Sequence, residues 1–168
     1  MVAVSFLVGG EPWLEGSFGR AVCFPIGKGA DSFPLGTVRG DDMARILVID
    51  DSMSAIQKAR DILEKAGHMV ENLDLLIYLP QTIEKNPPDL ILLDLSMPAL
   101  SGVNVASFIR RYQKEPIPIV LYSSRPVEEI KATAKTLEAN GFVQKGEPDD
   151  MLVEVVSRVL ARRRPARG

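Results

Sequence analysis

Residues 45–51 read Arg-Ile-Leu-Val-Ile-Asp-Asp, a short run of apolar side chains that ends in two carboxylates. Further apolar runs that end in a polar residue follow at 90–94, 117–123 and 142–145. Their lengths and composition are typical of β-strands. Because the runs are continuously apolar rather than alternating, we expect both faces of the sheet that they form to be covered.

The segments between these runs carry apolar residues at helical spacing. Residues 56–66 place apolar side chains at intervals of 3, 4 and 3, and Gly67 follows as a common residue just past a helix end. Met69 and Val70 indicate a weak second strand, and Pro80 suits the first turn of a second helix. Further helical faces lie at Val105–Tyr112, Val127–Leu137 and Leu152–Val159. Strand and helix thus alternate five times within 43–162, which predicts an α/β fold with a doubly wound, five-stranded parallel sheet.

Length and composition are those of one ordinary globular domain. The chain has 168 residues, of which 46% are hydrophobic and 25% charged, with a net charge of −2. This balance excludes a fibrous or wholly disordered protein and does not demand a nucleic-acid partner. A single cysteine excludes an internal disulfide, no apolar stretch is long enough to span a membrane, and Met1–Val8 lacks the basic start of a secretory signal. We therefore expect a cytoplasmic location.

The composition changes near residue 42. Residues 1–42 hold 8 of the 13 glycines and show no sustained helical or strand period. Ordering glycine costs more backbone entropy than ordering other residues, so we expect this segment to be a disordered extension. A start codon assigned too far upstream, with Met43 as the working start, is a second explanation. The folded domain is expected at 43–162, followed by a basic tail at 163–168.

Polar residues at the ends of the expected strands are the candidates for chemistry: Asp50, Asp51, Asp94, Ser123 and Lys145. Carboxyl ends of parallel strands meet at one sheet edge, where such folds bind ligands. Three carboxylates placed together repel one another, and a divalent cation such as Mg²⁺ relieves that repulsion. Taken singly, each of these residues is an ordinary turn, cap or surface residue. Five of them at equivalent strand ends favour a functional site.

Four stretches in order resemble the receiver domains of two-component response regulators. They are Ile-Leu-Val-Ile-Asp-Asp-Ser at 46–52, Pro-Asp-Leu-Ile-Leu-Leu-Asp-Leu-Ser-Met-Pro-Ala-Leu-Ser-Gly at 88–102, Ile-Val-Leu-Tyr-Ser-Ser at 119–124 and Gly-Phe-Val-Gln-Lys-Gly at 141–146. The resemblance covers residues 45–162 and implies a flavodoxin-like (βα)5 fold. It also implies a regulatory domain that accepts a phosphoryl group from a histidine kinase or phosphotransfer protein, rather than an enzyme acting on other molecules.

The resemblance assigns a role to each matching position. Asp94 stands where receivers carry the phosphorylated aspartate, and Asp50 and Asp51 stand where they carry the acidic pair that binds Mg²⁺. The backbone carbonyl of Ser96 matches a further metal ligand. Lys145 matches the lysine that pairs with the phosphoryl group. Ser123 matches the hydroxyl that shifts on activation, and the switch aromatic corresponds to Phe142.

The chain departs from the family pattern after the lysine. Many receivers have proline there, joined by a cis peptide bond, whereas this chain has Gly146. A cis bond without proline costs about 2.5–4 kcal/mol, so we expect either a trans bond or a rearranged loop. Phe142 keeps the ring of the switch position but has no tyrosine hydroxyl. Ser96 and Arg125 occupy positions that in the family tune the lifetime of the phosphate.

Other functions remain open on the sequence alone. A phosphorylation-independent interaction module usually lacks the acidic pair, the aspartate or the lysine, all of which are present here. A hydrolase with an aspartyl-phosphate intermediate needs an acid two residues after the nucleophile, where this chain has Ser96. No DNA-binding pattern follows residue 162. We expect a monomer or weak dimer that signals by binding an unidentified downstream protein.

Overall fold

The computed structural model describes residues 6–8, 11–15, 23–25, 43–73, 76–97, 102–113 and 115–163. Within 43–163 the strands are β4 (Arg45–Ile49), β5 (Met69–Asn72), β6 (Leu90–Leu93), β7 (Ile119–Ser123) and β8 (Gly141–Gln144). The helices are α1 (Met53–Lys65), α2 (Leu79–Lys85), α3 (Gly102–Tyr112), α4 (Val127–Thr136) and α5 (Asp149–Arg163), with a short 3₁₀ helix at Leu76–Tyr78.

The five strands β4 to β8 form one parallel sheet in the spatial order β5-β4-β6-β7-β8. The chain moves outward from β4 to one edge, returns to β6 and then proceeds to the other edge, which is the doubly wound arrangement predicted from the sequence. This strand order is that of flavodoxin-like folds. The point where the strand order reverses lies between β4 and β6, and their carboxyl ends flank the crevice in which such sheets bind ligands.

Both faces of the sheet are covered, as the continuously apolar strands required. Neighbouring residues of β4 divide between two hydrophobic clusters, with Leu47 and Ile49 in one and Ile46 and Val48 in the other. The first cluster receives side chains from α2, α3 and α4, whereas the second receives them from α1 and α5. Packing on both faces fixes the register of the strands and therefore the positions of the residues that follow them.

Local sequence accounts for most helix and strand boundaries. The Ser52 hydroxyl accepts a hydrogen bond from the Ala55 amide and caps the start of α1. Gly67 follows the end of α1 with φ of 90°, which confirms its predicted place. The predicted strand at 117–121 begins two residues later in the structure, because Pro118 has no amide hydrogen to give to a sheet. Ile117 is nevertheless buried.

Three short antiparallel strands lie before residue 43: β1 (Phe6–Val8), β2 (Glu11–Glu15) and β3 (Cys23–Pro25). The sequence pattern did not indicate them. Strands β1 and β2 pair with Val8 opposite Glu11 and Phe6 opposite Trp13. The rest of residues 1–42 lies outside the described residues, and a disordered or untranslated extension stays a prediction.

At the other end, α5 continues to Arg163, and residues 164–168 of the expected basic tail lie outside the described residues. Among the helices that the structure describes, none combines the length and apolar character needed to cross a membrane.

His68 lies just before β5, at the edge of the sheet where the parallel strands begin. The residue is buried, with 6% of its surface exposed. Neither ring nitrogen is hydrogen-bonded to another described residue. Burial lowers the pKa of His68 below its ordinary value of 6.5, since the charged ring loses hydration without gaining a partner.

We predict that this histidine makes the fold acid-sensitive. The unfolded chain binds a proton at His68 more readily than the folded chain, so stability falls as the pH drops below 6.5. One group of this kind contributes a slope of at most about 1.4 kcal/mol per pH unit. Urea unfolding of wild type and His68→Leu between pH 7.5 and pH 5 measures it. A shallower slope in the variant is expected, and equal slopes would contradict this account.

Candidate functional site

The carboxyl edge of the sheet gathers the polar residues singled out in the sequence. Asp50 directly follows β4, Asp94 directly follows β6, and Lys145 directly follows β8, while Ser123 is the last residue of β7. The backbone ties neighbouring strand ends together, since the Asp94 amide donates to the Ile49 carbonyl at 3.0 Å. Likewise, the Lys145 amide donates to the Ser123 carbonyl at 2.8 Å. The sheet thus brings residues from four parts of the chain to one place.

Three carboxylates form the centre of the site. Asp50, Asp51 and Asp94 each offer one carboxylate oxygen, and these oxygens all lie within 4.8 Å of one another. Asp94 is 3% exposed and Asp50 is at the margin of burial, whereas Asp51 faces solvent. Negative charges held this close, with two of them shielded from water, attract cations strongly.

Lys145 lies between two of these carboxylates. Its ammonium Nζ is 2.7 Å from Asp50 Oδ2 and 3.3 Å from Asp94 Oδ2. The other oxygen of Asp50 accepts a hydrogen bond from the Ser52 amide at 2.9 Å, so both oxygens of that carboxylate have donors. One ammonium facing three carboxylates leaves an excess of negative charge at this edge.

Asp94 keeps one oxygen available. Its Oδ1 is buried and has no hydrogen-bond donor among the described residues. A buried carboxylate oxygen without a donor is costly unless a cation or another group engages it. An all-oxygen set of carboxylates that still carries excess negative charge suits Mg²⁺, which binds through one or two carboxylates and completes its shell with water and phosphate oxygens. The residues present therefore fit a magnesium site.

The two residues expected to act as a switch are both fully buried. Ser123 and Phe142 have no exposed surface, and Phe142 belongs to the cluster covered by α2, α3 and α4. The Ser123 hydroxyl lies 3.0 Å from the hydroxyl of Ser96. The sequence proposed the backbone carbonyl of Ser96 as a metal ligand, and that role stays a prediction. The contact of its side chain with Ser123 was not foreseen.

Of the two alternatives expected for the loop after Lys145, a trans peptide bond or a rearranged loop, the structure shows the trans bond. The Lys145–Gly146 peptide is trans, and Gly146 adopts φ of +99°. Proline is fixed near −65° and cannot occupy this conformation. A Cβ at Gly146 would meet no atom within 4 Å, so the backbone angle, and not lack of space, requires glycine.

Further contacts surround Lys145 that sequence reasoning missed. The Tyr122 ring lies beneath the ammonium, with Nζ 5.7 Å from the ring centroid. Burial raises the pKa of Tyr122, and the charges of Asp149 and Asp50 raise it further, so its phenol stays neutral. Arg125 donates to the Leu95 carbonyl, and Gln144 donates to the Arg125 carbonyl. An aromatic residue immediately before Ser123 was the only sequence signal for the first of these contacts.

Comparison with known protein families gives one match over most of the chain. Residues 46–157 match the family described as the response regulator receiver domain. Apart from Arg45, that span contains all of the elements from β4 to β8, and it contains all the residues of the site.

Individual relatives are similar over the same region. Protein PilH of Pseudomonas aeruginosa is 30% identical over 123 residues, which cover 71% of this chain and 99% of PilH. A protein-glutamate methylesterase/protein-glutamine glutaminase of Archaeoglobus fulgidus is 36% identical over 118 residues. That alignment covers 67% of this chain but only 32% of the methylesterase. Two further relatives are matched over about half of their length.

A solved structure shares the fold. The Vibrio cholerae chemotaxis protein CheY4 superimposes with a TM-score of 0.62 at 28% sequence identity. The matched region covers 70% of this chain and 98% of CheY4.

We predict that Gly146→Ala destabilises the protein by about 1–2 kcal/mol, because alanine is strained at a positive φ. Gly146→Asn should be milder, since asparagine tolerates positive φ better than other residues with side chains. Urea unfolding measures both variants. An alanine variant as stable as wild type would show that the loop after Lys145 does not need its left-handed conformation.

Proposed function

The chain belongs to the response regulator receiver domain family, and from this premise we propose that Asp94 accepts a phosphoryl group in a Mg²⁺-dependent reaction. The donor is a phosphohistidine of a histidine kinase or phosphotransfer protein. The proposal rests on the different surroundings of the two carboxylate oxygens of Asp94. Oδ2 contacts the Lys145 ammonium, while the buried Oδ1 has no donor among the described residues.

Transfer requires a nucleophile and compensation of charge. A carboxylate oxygen of Asp94 attacks phosphorus, the P–N bond to the donor histidine breaks, and its electron pair stays on the imidazole, which takes up a proton. The product is an acyl phosphate on Asp94. Because the transferred group passes through a state with its charge spread over the equatorial oxygens, positioning and neutralisation supply most of the rate enhancement.

Lys145 supplies part of this neutralisation. Its ammonium already lies between Asp50 and Asp94, so it reaches a phosphoryl oxygen on Asp94 with little movement. The Tyr122 ring beneath it makes a cation–π contact with the ammonium. Asp50, Asp51 and Asp94, with the Ser96 carbonyl, would hold Mg²⁺, which contributes further positive charge to the phosphoryl oxygens when bound.

The output is a change in packing. The Ser123 hydroxyl, now beside Ser96, turns to donate to a phosphoryl oxygen and draws the loop between β7 and α4 inward. Phe142 lies on β8, opposite Leu121 of the neighbouring strand β7, and its packing responds to the movement of the loop. We propose that the surface formed by α4, β8 and α5 then binds a downstream protein, and that the chain acts as a regulator in the cytoplasm.

We predict that acetyl phosphate with Mg²⁺ adds one phosphoryl mass to the intact protein. The adduct is absent from Asp94→Asn, because an amide is a poor nucleophile, and absent from wild type when EDTA removes Mg²⁺. Asp61→Asn is the matched control, since Asp61 is an exposed carboxylate on α1 that accepts a hydrogen bond from Gln57. This variant should be phosphorylated like wild type.

Two outcomes would contradict the proposal. An adduct that persists in Asp94→Asn places the acceptor elsewhere. No adduct in wild type, together with no change in thermal stability on adding Mg²⁺, would favour a phosphorylation-independent interaction module with the receiver fold.

A further inference from the structure

Two hydrogen bonds link three segments of the chain at the carboxyl edge of the sheet. The Gln144 side-chain amide donates to the Arg125 carbonyl at 2.9 Å, and the Arg125 guanidinium donates to the Leu95 carbonyl at 2.9 Å. We call this chain of contacts from Gln144 through Arg125 to Leu95 the loop bridge. It connects the end of β8, the loop between β7 and α4, and the loop after β6.

The two end residues of the loop bridge are adjacent in sequence to Lys145 and Asp94, which form an ion pair. Gln144 directly precedes Lys145, Leu95 directly follows Asp94, and the Lys145 ammonium contacts the Asp94 carboxylate. The loop bridge and the ion pair therefore close a ring of contacts. Arg125 stands in this ring two residues after Ser123, whose own carbonyl accepts a hydrogen bond from the Lys145 amide. The backbone at Ser123 therefore lies between this hydrogen bond and the loop bridge.

The loop bridge is positioned to oppose movement of the loop between β7 and α4. Displacing Ser123 toward Asp94 also displaces Arg125, because only one residue separates them. The guanidinium of Arg125 then moves out of hydrogen-bonding geometry with the Leu95 carbonyl, or the Arg125 carbonyl moves away from the Gln144 side chain. Hydrogen bonds weaken steeply with distance and angle, so even a modest displacement breaks one of the two.

We propose that Gln144 is a positioning residue that, through Arg125, holds the loop between β7 and α4 in its unphosphorylated position. The proposal rests on the function proposed above, because it concerns the regulation of the same site. In the resting protein the loop bridge is intact, and phosphorylation of Asp94 must break it before Ser123 can reach the phosphoryl group. Removing the loop bridge therefore makes activation easier while leaving Asp94, Lys145 and the acidic pair in place.

Beryllofluoride with Mg²⁺ is the probe, since it mimics a phosphoryl group on a carboxylate without covalent chemistry. Fluorine NMR measures the fraction of the protein that has beryllofluoride bound. We expect Gln144→Leu to bind beryllofluoride about three- to tenfold more tightly than wild type, the range for one hydrogen bond lost from one of two states. General damage to the site would weaken binding, so the direction of the change separates a positioning role from a structural one.

A double-mutant cycle tests whether Gln144 acts through Arg125. Arg125→Met keeps the stem of the side chain and loses the guanidinium, so it should tighten binding as Gln144→Leu does. Adding Gln144→Leu to Arg125→Met should then have little further effect. Gln57→Leu is the matched control, because it removes a side-chain hydrogen bond from the same residue type on α1 and should leave binding unchanged. Unchanged or weaker binding in Gln144→Leu, or additive effects, would overturn the proposal.

Hydrogen exchange on the unphosphorylated protein tests the loop bridge separately from phosphoryl chemistry. The amides of Ser124, Arg125 and Val127 should exchange faster in Gln144→Leu than in wild type, because the loop is no longer held. Equal rates would overturn the loop bridge even if phosphorylation succeeds. Conversely, wild type that binds no beryllofluoride while the variant exchanges faster would refute the proposed function and retain the restraint on the loop.

Discussion

The ammonium of Lys145 between Asp50 and Asp94 is the interaction on which the rest of the site depends. Three carboxylates converge at one sheet edge, and two of them are almost removed from water. Without a cation, the repulsion between these carboxylates would oppose the close approach of the strand ends. Lys145 offsets part of that repulsion from a strand two places away from β6 in the sheet. The residual negative charge leaves the site able to attract a divalent cation and then a phosphoryl group.

A buried ion pair of this kind is weak evidence for stability, since the desolvation of both partners opposes their attraction. The ion pair is important here because it places the Lys145 ammonium beside Asp50 and Asp94. The hydrophobic clusters on the two faces of the sheet fix the strand ends, and the strand ends fix the charges. Stability is supplied by the core, and the edge is left to hold groups that are costly to bury. The glycine after Lys145, with its positive φ, completes the turn that aims the lysine inward.

The sequence was sufficient for the sheet and for the composition of the site, because both follow from where apolar runs stop. Asp50, Asp94 and Lys145 could be placed together before any geometry was known, since the carboxyl ends of parallel strands share an edge. The contacts of Ser96, Gln144 and Tyr122 could not, because they depend on loop paths and side-chain rotamers that leave no periodic signal. The burial of His68 could not be predicted either. A single polar residue beside a short strand does not reveal which side of the backbone is covered.

Chemical mapping of the modified residue is the most direct test of whether Asp94 accepts the phosphoryl group. An acyl phosphate formed with acetyl phosphate and Mg²⁺ is reduced by borohydride to an alcohol, which marks the acceptor permanently for peptide sequencing by mass spectrometry. We expect homoserine at position 94 and at no other aspartate. Reduction at position 50 or 51, or a phosphoryl group that resists borohydride and maps to a serine, would contradict it.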